Sequence, residues 1–380
     1  MDITRIDKNF SPEPVDENGF LFRDVKLEPF KIEGLAWFQE NQQEYYRLPK
    51  SFTEKEVNSG ALGLSNHTSG VCVRFRSDSP ELMIRAELAY SSDMNHMPRA
   101  GSAGFDSYRK APDGQLLYNF TVQPSPGQKN VLAKCGHNPG RQLCEWIINF
   151  PLYGGVAKVE IGLKEGCMIL PPLPHKVEKP VLFYGSSITQ GGCASRPGNA
   201  YSSMLCREVD AEQINLGFSG SGKGEIAVAK AIAGLDLSVF VLDYDHNAPD
   251  PEHLEKTHEP FFLAVREAHP NLPIIMMSCC DYRMRAFRSS AELINRRREV
   301  IRTTWQHAVD RGDRNVYFID GEDLFGRKMH DGCTVDGCHP NDLGFYRMYK
   351  HVLPVLKKAL KTKRERKKQW LKTKRERKKK

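Results

Sequence analysis

The sequence predicts two domains of different fold class: an all-β, jelly-roll-like antiparallel sandwich, followed by a flavodoxin-like three-layer α/β/α domain. The chain has 380 residues, which is enough for two domains that each bury a core. From Gly19 to Ile169 it carries short runs with apolar residues at every second position and no helical pattern between them. After Pro180, apolar runs alternate with helical patterns.

The first domain, residues 1–170, is predicted from six strand-like runs bounded by Gly, Pro, Ser and Asn clusters. Repeated strands without intervening helices favour a sandwich or jelly roll. The predicted strands are Leu21–Leu27, Gly70–Arg76, Leu82–Leu88, Leu117–Val122, Glu145–Phe150 and Ala157–Leu163. Trp37, Tyr45, Tyr46 and Tyr108 could form platforms for a bound sugar, or could pack in the interior of the sandwich or at a domain interface, and we favour the second interpretation.

The second domain, residues 181–360, follows a proline-rich linker at 171–180. Helices between successive strands require crossover connections, which favour a parallel sheet covered on both faces. The predicted strands are Val181–Tyr184, Gln213–Leu216, Val239–Leu242, Ile274–Met277 and Val316–Ile319. The predicted helices span about 201–209, 225–232, 251–268, 290–310 and 342–360, and Asn199 is a predicted N-cap of the first.

Ser187 is the predicted nucleophile of this domain. It follows the first strand just after Gly185, and ligands bind at the carboxyl ends of strands in such sheets. A serine hydroxyl needs a neighbouring base to become a nucleophile. Asp336 lies three residues before His339, so one short loop can offer both side chains to the same cleft. We therefore predict His339 as the base and Asp336 as the group that orients it.

Two further strand ends offer groups that could stabilise an oxyanion. These are the backbone N–H of Gly220 and the side-chain amide of Asn247. His246 is a second candidate for the base, but no aspartate stands at a fixed spacing from it on a final loop, so we favour His339.

The sequence predicts neither a metal nor a cofactor. A zinc site from Cys333, Cys338 and His339 would have poor ligand spacing and no evident fourth ligand. Asp243 and Asp245 could bind a divalent cation, but two carboxylates at a strand end are more often caps or loop anchors.

The ten cysteines are spread without a Cys-x-x-Cys pair, and the opening residues lack the apolar core of a signal peptide. We therefore expect reduced thiols and a cytoplasmic location. No stretch approaches the roughly 18 apolar residues of a membrane-spanning helix, and we expect no membrane partner.

Basic residues are concentrated in a C-terminal tail, residues 361–380. The net charge of +8 divides into +11 in this tail and −3 in the rest of the chain. Nine residues starting at Leu360 are repeated from Leu371, and Trp370 is the only aromatic residue in the tail. Such a run could bind nucleic acid or an acidic membrane surface, but we favour a solvated helical extension, because no nucleic-acid-binding module accompanies it. The oligomeric state stays open.

The order Ser187, Gly220, Asn247 and Asp336-x-x-His339 resembles the SGNH (GDSL-type) hydrolases over about the last half of the chain. Gly-Ser-Ser stands here in place of the usual Gly-Asp-Ser, and Asp-His-Asn-Ala in place of Gly-x-Asn-Asp. The resemblance implies a serine hydrolase with the Ser187 N–H, Gly220 and Asn247 as oxyanion donors.

The first half of the chain resembles the β-domain of a bacterial two-domain subgroup of carbohydrate esterases. The matching stretches are Gly34–Phe38, Tyr45–Pro49 and Gly104–Tyr108. The resemblance implies an esterase that removes small acyl groups, acetyl above all, from a small-molecule or oligosaccharide ester. Two alternatives stay open: a lysophospholipase or thioesterase that acts on longer acyl chains, and a non-catalytic carbohydrate-binding protein.

Overall fold

The computed structural model describes residues 15–110, 114–281, 283 and 291–361, so the basic tail from residue 362 onward lies outside the described residues. The chain divides into two compact units, here called the β unit and the α/β unit. The β unit draws on Met1–Arg47, Ser65–Pro174 and Ser195–Gly198. The α/β unit draws on Leu48–Leu64, His175–Ala194 and Asn199–Lys380. Each unit therefore contains a short segment from the other half of the chain.

The secondary-structure elements of the described residues are numbered in chain order. The strands are β1 (Phe20–Asp24), β2 (Lys31–Glu33), β3 (Cys72–Ser77), β4 (Glu81–Leu88), β5 (Phe105–Lys110), β6 (Leu116–Val122), β7 (Asn130–His137), β8 (Cys144–Asn149), β9 (Val156–Lys164), β10 (Ile169–Leu170), β11 (Val177–Gly185), β12 (Ala211–Gly217), β13 (Val239–Asp243), β14 (Ile274–Met277) and β15 (Val316–Ile319). The helices are α1 (Ser59–Leu64), α2 (Arg99–Ser102), α3 (Ser187–Gln190), α4 (Tyr201–Val209), α5 (Ile226–Ala233), α6 (Pro251–Ala268), α7 (Ala291–Asp310) and α8 (Asp342–Ala359).

The β unit consists of two antiparallel sheets that share one hydrophobic core. One sheet has the strand order β1-β9-β4-β7, and the other has the order β10-β3-β8-β5-β6 with β2 paired to β3. The core takes alternate residues of both sheets, such as Leu82 and Ile84 of β4 and Val73 and Phe75 of β3. The antiparallel all-β fold is confirmed, and the jelly-roll connection stays a prediction.

Four strands of the β unit were not predicted: the short strands β2 and β10, and the longer strands β5 and β7. β5 reads Phe-Asp-Ser-Tyr-Arg-Lys, in which four consecutive residues are buried, so the strand shows no polar–apolar alternation. β7 is interrupted by a register irregularity opposite Leu82 and Met83. Trp37, Tyr45 and Tyr108 are buried, which agrees with the interior interpretation rather than with exposed sugar platforms.

The α/β unit contains one parallel five-stranded sheet with the order β12-β11-β13-β14-β15. This is the order of flavodoxin-like sheets, in which the second strand lies on one side of the first strand and the later strands are added on its other side. Every residue of β13 is buried, as is the stretch Val181–Gly185 of β11, as expected for strands covered on both faces. All five predicted strands and the predicted fold class are confirmed.

Helices α6 and α8 of this unit have clear start signals in the sequence. Asp250 accepts a hydrogen bond from His253 N at 2.7 Å, with Pro251 as the first residue of α6. Asn341 accepts hydrogen bonds from the N–H groups of Leu343 and Gly344 at the start of α8. Within the described ranges, no helix combines the length and the hydropathy that a membrane span requires.

Candidate active site

The site is built where β11, β12 and β13 end side by side. Gly185 is in register with Gly217 of β12 and Asp243 of β13. A Cβ atom on Gly185 would lie 2.0 Å from Thr189 Oγ1 and 2.2 Å from the Asp243 carbonyl oxygen. Only glycine fits at this point, and the close approach lets the chain turn sharply out of the sheet.

Ser187 is the first residue of α3, a short helix that the sequence analysis did not predict. Ser186 caps this helix, since its Oγ accepts a hydrogen bond from Ile188 N at 3.2 Å. Ser187 is 7% exposed. Among the described residues, no acceptor is bonded to the Ser187 N–H, as expected at the first turn of a helix.

The prediction that Asn199 caps the next helix is wrong. Ala200 occupies the N-cap position before Tyr201, without a side-chain hydrogen bond. The Asn199 side chain instead donates to Asp342 Oδ2 at 2.9 Å, at the start of α8. A carboxylate from a distant part of the chain therefore orients the Asn199 side chain, and the local sequence pattern could not show this contact.

Ser187, His339 and Asp336 form a hydrogen-bonded series. The Oγ atom of Ser187 lies 2.9 Å from Nε2 of His339, and Nδ1 of His339 lies 2.7 Å from Oδ2 of Asp336. The other carboxylate oxygen of Asp336 accepts hydrogen bonds from the backbone N–H groups of Cys338 and His339, at 2.9 and 2.8 Å. The carboxylate therefore orients both the imidazole ring and the loop that carries it.

The same contacts keep Asp336 ionised. Partial burial acts to raise its pKa, but the hydrogen bonds from the His339 side chain and from the two backbone N–H groups outweigh burial and lower the pKa to about 2. An ionised carboxylate at Nδ1 holds the proton on that nitrogen, which leaves Nε2 as the acceptor facing Ser187.

The loop that carries His339 is closed on itself. Val335 N donates to the His339 carbonyl oxygen at 3.0 Å, and Thr334 and Pro340 form an isolated β-bridge. Gly337 has a φ of +87°, in the left-handed region that a non-glycine residue rarely adopts. This turn allows Asp336 and His339, three residues apart, to face each other.

Gly220 lies in the turn after β12 with a φ of +65°. The turn is fixed by Gly222 N, which donates to the Phe218 carbonyl oxygen at 3.1 Å, and by Ser219 N, which donates to Gln190 Oε1 at 2.9 Å. In the part of the chain that the structure describes, the Gly220 N–H makes no hydrogen bond. It therefore remains available to an external acceptor.

The Gly220 turn is also held by the 48–64 segment. Asn58 Nδ2 donates to the Ser221 carbonyl oxygen at 2.8 Å and is bonded to Glu225. Glu225 in turn accepts a hydrogen bond from Tyr184 OH, which itself accepts one from Gly224 N at 2.8 Å. Sequence reasoning missed Asn58, because residues 48–64 lie far from the second domain in the sequence.

Asn247 completes the group of predicted site residues. It ends the 3₁₀ turn Asp245–Asn247 after β13, and its Nδ2 donates to the Phe218 carbonyl oxygen at 2.8 Å. A Cβ atom on Gly222 would lie 3.5 Å from this nitrogen and 2.2 Å from the Gly185 carbonyl oxygen. The structure thus places Asn247 against the Gly220 turn and beside the end of β11.

Comparison with known proteins identifies the family of each half of the chain. Residues 178–357 match the family model of GDSL-like lipases and acylhydrolases, and residues 20–169 match the model for the N-terminus of SGNH-hydrolase-type esterases. Residues 178–357 therefore form a domain of the GDSL-like lipase/acylhydrolase family. The chain is a carboxylic ester hydrolase, as predicted. No curated protein matches the sequence.

Several solved structures resemble this GDSL-like acylhydrolase along most of its length. A protein described as a GDSL-like lipase from Bacteroides ovatus is 28% identical, with a TM-score of 0.80 over 90% of this chain and 98% of that one. A salicylyl-acyltransferase of a tetracycline biosynthetic pathway is 19% identical, with a TM-score of 0.72 over 88% and 96%. An acetyl xylan esterase from the rumen bacterium Butyrivibrio proteoclasticus is 14% identical, with a TM-score of 0.56 over 90% and 98%.

The second histidine of this acylhydrolase, His246, lies in a different environment from His339. Its Nε2 atom is 2.8 Å from Oδ1 of Asp281, and its Nδ1 atom is 3.3 Å from Oδ1 of Asp245. Sequence reasoning missed Asp281, although this residue follows β14 at the same edge of the sheet as the predicted site residues. Of the two candidates for the base, His339 is the one that contacts Ser187.

His246 itself belongs to one group of possible metal ligands. His246, Asp281 and Cys338 have donor atoms within 4.8 Å of one another. His246 and Asp281 are already hydrogen-bonded to each other, so a bound cation would have to replace that bond.

Asp243, the other carboxylate considered for a cation, is a buried acceptor in this acylhydrolase. Its Oδ2 accepts hydrogen bonds from Tyr201 OH at 2.9 Å and from Thr189 Oγ1 at 3.1 Å. Burial and then the charge of Asp245 raise the pKa of Asp243 to about 7. Through Thr189, the carboxyl group holds the helix that begins at Ser187.

Proposed function

We propose that this chain is a serine esterase that hydrolyses small acyl esters, acetyl esters first, on carbohydrate. The observation that carries the proposal is the 2.9 Å approach of Ser187 Oγ to His339 Nε2, with Asp336 at 2.7 Å from the other ring nitrogen. This arrangement suits a hydroxyl that is to lose its proton to a neighbouring base.

The first half of the reaction forms an acyl-enzyme. His339 Nε2 takes the hydroxyl proton while Ser187 Oγ attacks the ester carbonyl carbon, which becomes tetrahedral and carries a negative oxygen. The N–H groups of Ser187 and Gly220 and the amide of Asn247 donate hydrogen bonds to that oxygen. Collapse of the intermediate breaks the bond to the alcohol, and the departing oxygen receives the proton from His339.

The second half of the reaction releases the acid. His339 takes a proton from a water molecule, whose oxygen attacks the acyl carbon, and the same donors receive the second oxyanion. Breakage of the bond to Ser187 Oγ returns the proton to serine and frees the carboxylic acid. Asp336 stays ionised throughout and balances the charge of the imidazolium.

The carbohydrate part of the proposal rests on the resemblance of both halves of the chain to two-domain carbohydrate esterases. The acetyl xylan esterase shares the fold along 90% of this chain. The salicylyl-acyltransferase shares it along 88%, so the fold also serves a bulkier acyl group. Acyl length is therefore the property to measure first.

The test is hydrolysis of p-nitrophenyl acetate, butyrate and octanoate by the unmodified chain and by Ser187→Ala. We expect activity greatest on acetate and abolished in Ser187→Ala, with the thermal transition unchanged. Ser203→Ala, on α4, is the matched control and should keep full activity.

Each other outcome rejects part of the proposal. Equal or greater activity on octanoate would favour a lysophospholipase or thioesterase. Activity that persists in Ser187→Ala would refute the assigned nucleophile. Failure of a fluorophosphonate probe to label Ser187, together with no turnover of any ester, would favour a binding protein.

A further inference from the structure

We propose that Arg297 of α7 is a positioning residue for oxyanion stabilisation, because it holds both ends of the turn that presents Asn247. The inference rests on the proposed function, in which the Asn247 amide is an oxyanion donor. It adds a residue that lies outside the four sequence blocks and about fifty positions away from the turn it controls.

The guanidinium group of Arg297 bridges two carbonyl groups that flank Asn247. Nη1 donates to the Asp245 carbonyl oxygen at 2.7 Å, and Nη2 donates to the Pro249 carbonyl oxygen at 3.0 Å. These carbonyls lie two residues before and two residues after Asn247. Arg297 is only 6% exposed, so the bridge is shielded from water.

A charged donor strengthens both hydrogen bonds, and the planar guanidinium fixes the separation of the two acceptors. Lysine carries the same charge but only a single ammonium group, so it cannot reproduce a fork that spans two carbonyls. The backbone on either side of Asn247 is therefore restrained by the shape of this side chain as well as by its charge.

The amide of Asn247 depends on this restraint for its direction. One N–H of its Nδ2 donates to the Phe218 carbonyl oxygen at 2.8 Å, which leaves the second N–H for the oxyanion. The Asn247 backbone N–H donates to the Tyr244 carbonyl oxygen at 3.0 Å, so the turn is also closed from within. Loosening either flanking carbonyl would change where the second N–H points.

Oxyanion stabilisation requires donors that are in place before the charge develops. A misplacement of about 1 Å can cost on the order of 100-fold in rate. Substrate binding in the ground state does not need the Asn247 donor to the same degree. Loss of Arg297 should therefore lower kcat and leave KM almost unchanged.

The test is a double-mutant cycle with Arg297→Lys and Asn247→Ala, measured on p-nitrophenyl acetate. We expect Arg297→Lys alone to lower kcat by about 10- to 100-fold. We expect Asn247→Ala alone to lower it by about 10²- to 10³-fold. In the Asn247→Ala background, Arg297→Lys should cost less than about threefold, because the donor it positions is already gone.

Arg298→Lys is the matched control on the same helix. Arg298 binds Asp320 and Glu322 rather than the Asn247 turn, so this variant should keep nearly full activity. Should Arg297→Lys fail to fold, Arg297→Gln enters the same cycle, since its amide still offers an N–H to one carbonyl.

The outcomes separate this inference from the proposed function. Normal Ser187-dependent turnover with equal losses from Arg297→Lys in both backgrounds would overturn the positioning role and leave the esterase assignment intact. A variant Arg297→Lys that raises KM and leaves kcat unchanged would also overturn the positioning role and leave the esterase assignment intact. Absence of Ser187-dependent turnover in the unmodified chain would reject the proposed function, and this inference with it.

Discussion

Two of the histidine–carboxylate groups in the α/β unit, those of His339 and His246, differ in exposure and in what they contact. In the first, the side chains of His339 and Asp336 are 25% and 38% exposed, and the ring reaches a serine hydroxyl. In the second, His246 is 5% exposed, and the carboxylates of Asp245 and Asp281 face its two nitrogens from fully buried positions.

The difference shows what makes a histidine suitable as a base. His339 has a carboxylate at one nitrogen only, which leaves the other directed at the serine, and its exposure allows the ring to change charge during the reaction. His246 has a carboxylate on each side, in a buried site where any change of charge would be costly. In the turn Asp245–Asn247, the residue with a proposed role in the reaction is therefore Asn247, as an oxyanion donor, and not His246.

The sharpest way to test this comparison is to truncate each histidine. We expect His339→Ala to lower kcat/KM by at least about 10⁴-fold, because the hydroxyl loses its base, with little change in stability. We expect His246→Ala to lower the free energy of unfolding by about 3–5 kcal/mol, because two buried carboxylates lose the group between them. Ester hydrolysis and urea denaturation measure the two effects. A stable but inactive His246→Ala beside an active His339→Ala would reverse the two roles.

The carboxylate partners offer a second, smaller contrast. Asp336→Asn should lower kcat by about 10²- to 10⁴-fold, because the amide no longer holds the His339 tautomer, and it should also remove the stabilisation that the ionised carboxylate gives the fold at neutral pH. Asp281→Asn should lower the free energy of unfolding by about 1–3 kcal/mol and change kcat far less. The same rate and denaturation measurements apply. Comparable losses of kcat in both variants would show that the two groups act together in the reaction.

A third comparison concerns pH and the carboxyl group of Asp243, beside the buried histidine group. Its pKa is about 7 in the folded chain against an ordinary 3.8, so between about pH 4 and pH 7 the unfolded chain binds fewer protons than the folded one. The free energy of unfolding should therefore decrease as the pH rises through this window. Asp243→Asn should remove part of that decrease, measured as urea midpoints at pH 5 and pH 7.5.

Two further observations sharpen the pH experiment. Asp236, which is 75% exposed beside Lys179, supplies the control Asp236→Asn, and this variant should keep the full pH dependence.

The pKa of Asp336 affects stability in the opposite direction and at lower pH. Its folded pKa of about 2 stabilises the fold above pH 4, and that contribution is lost as the pH falls towards 2. An Asp243→Asn chain with an unchanged pH profile would contradict the raised pKa.

Sequence pattern predicted the parallel sheet well, because each of its strands is a buried apolar run between helical patterns. It also predicted which residues would meet at the sheet edge, since the carboxyl ends of parallel strands lie together. Ser187, Asp336 and His339 are joined by hydrogen bonds there. Their catalytic roles, and those of Gly220 and Asn247, stay predictions until the variants are measured.

Some features were missed because they have no local sequence pattern, and others because they depend on contacts between distant parts of the chain. Helix α3 has only four residues, too few to show a periodic pattern. β5 has no alternation to reveal it. Asp281 and Arg297 become recognisable only once the fold places them beside the 245–249 turn, because no local spacing relates them to it.

The placement of residues 48–64 bears on how such an enzyme can be taken apart or recombined. This segment belongs to the α/β unit, and its Asn58 supports the Gly220 turn, yet it is encoded between two stretches of the β unit. A fragment that begins at His175 would lack this support. Suppose that two homologues are recombined at one point in the proline-rich stretch. The Gly220 turn would then come from one parent and the 48–64 segment that supports it from the other. Because the second half depends on a segment of the first, we expect the two halves to have evolved as one unit rather than as exchangeable domains.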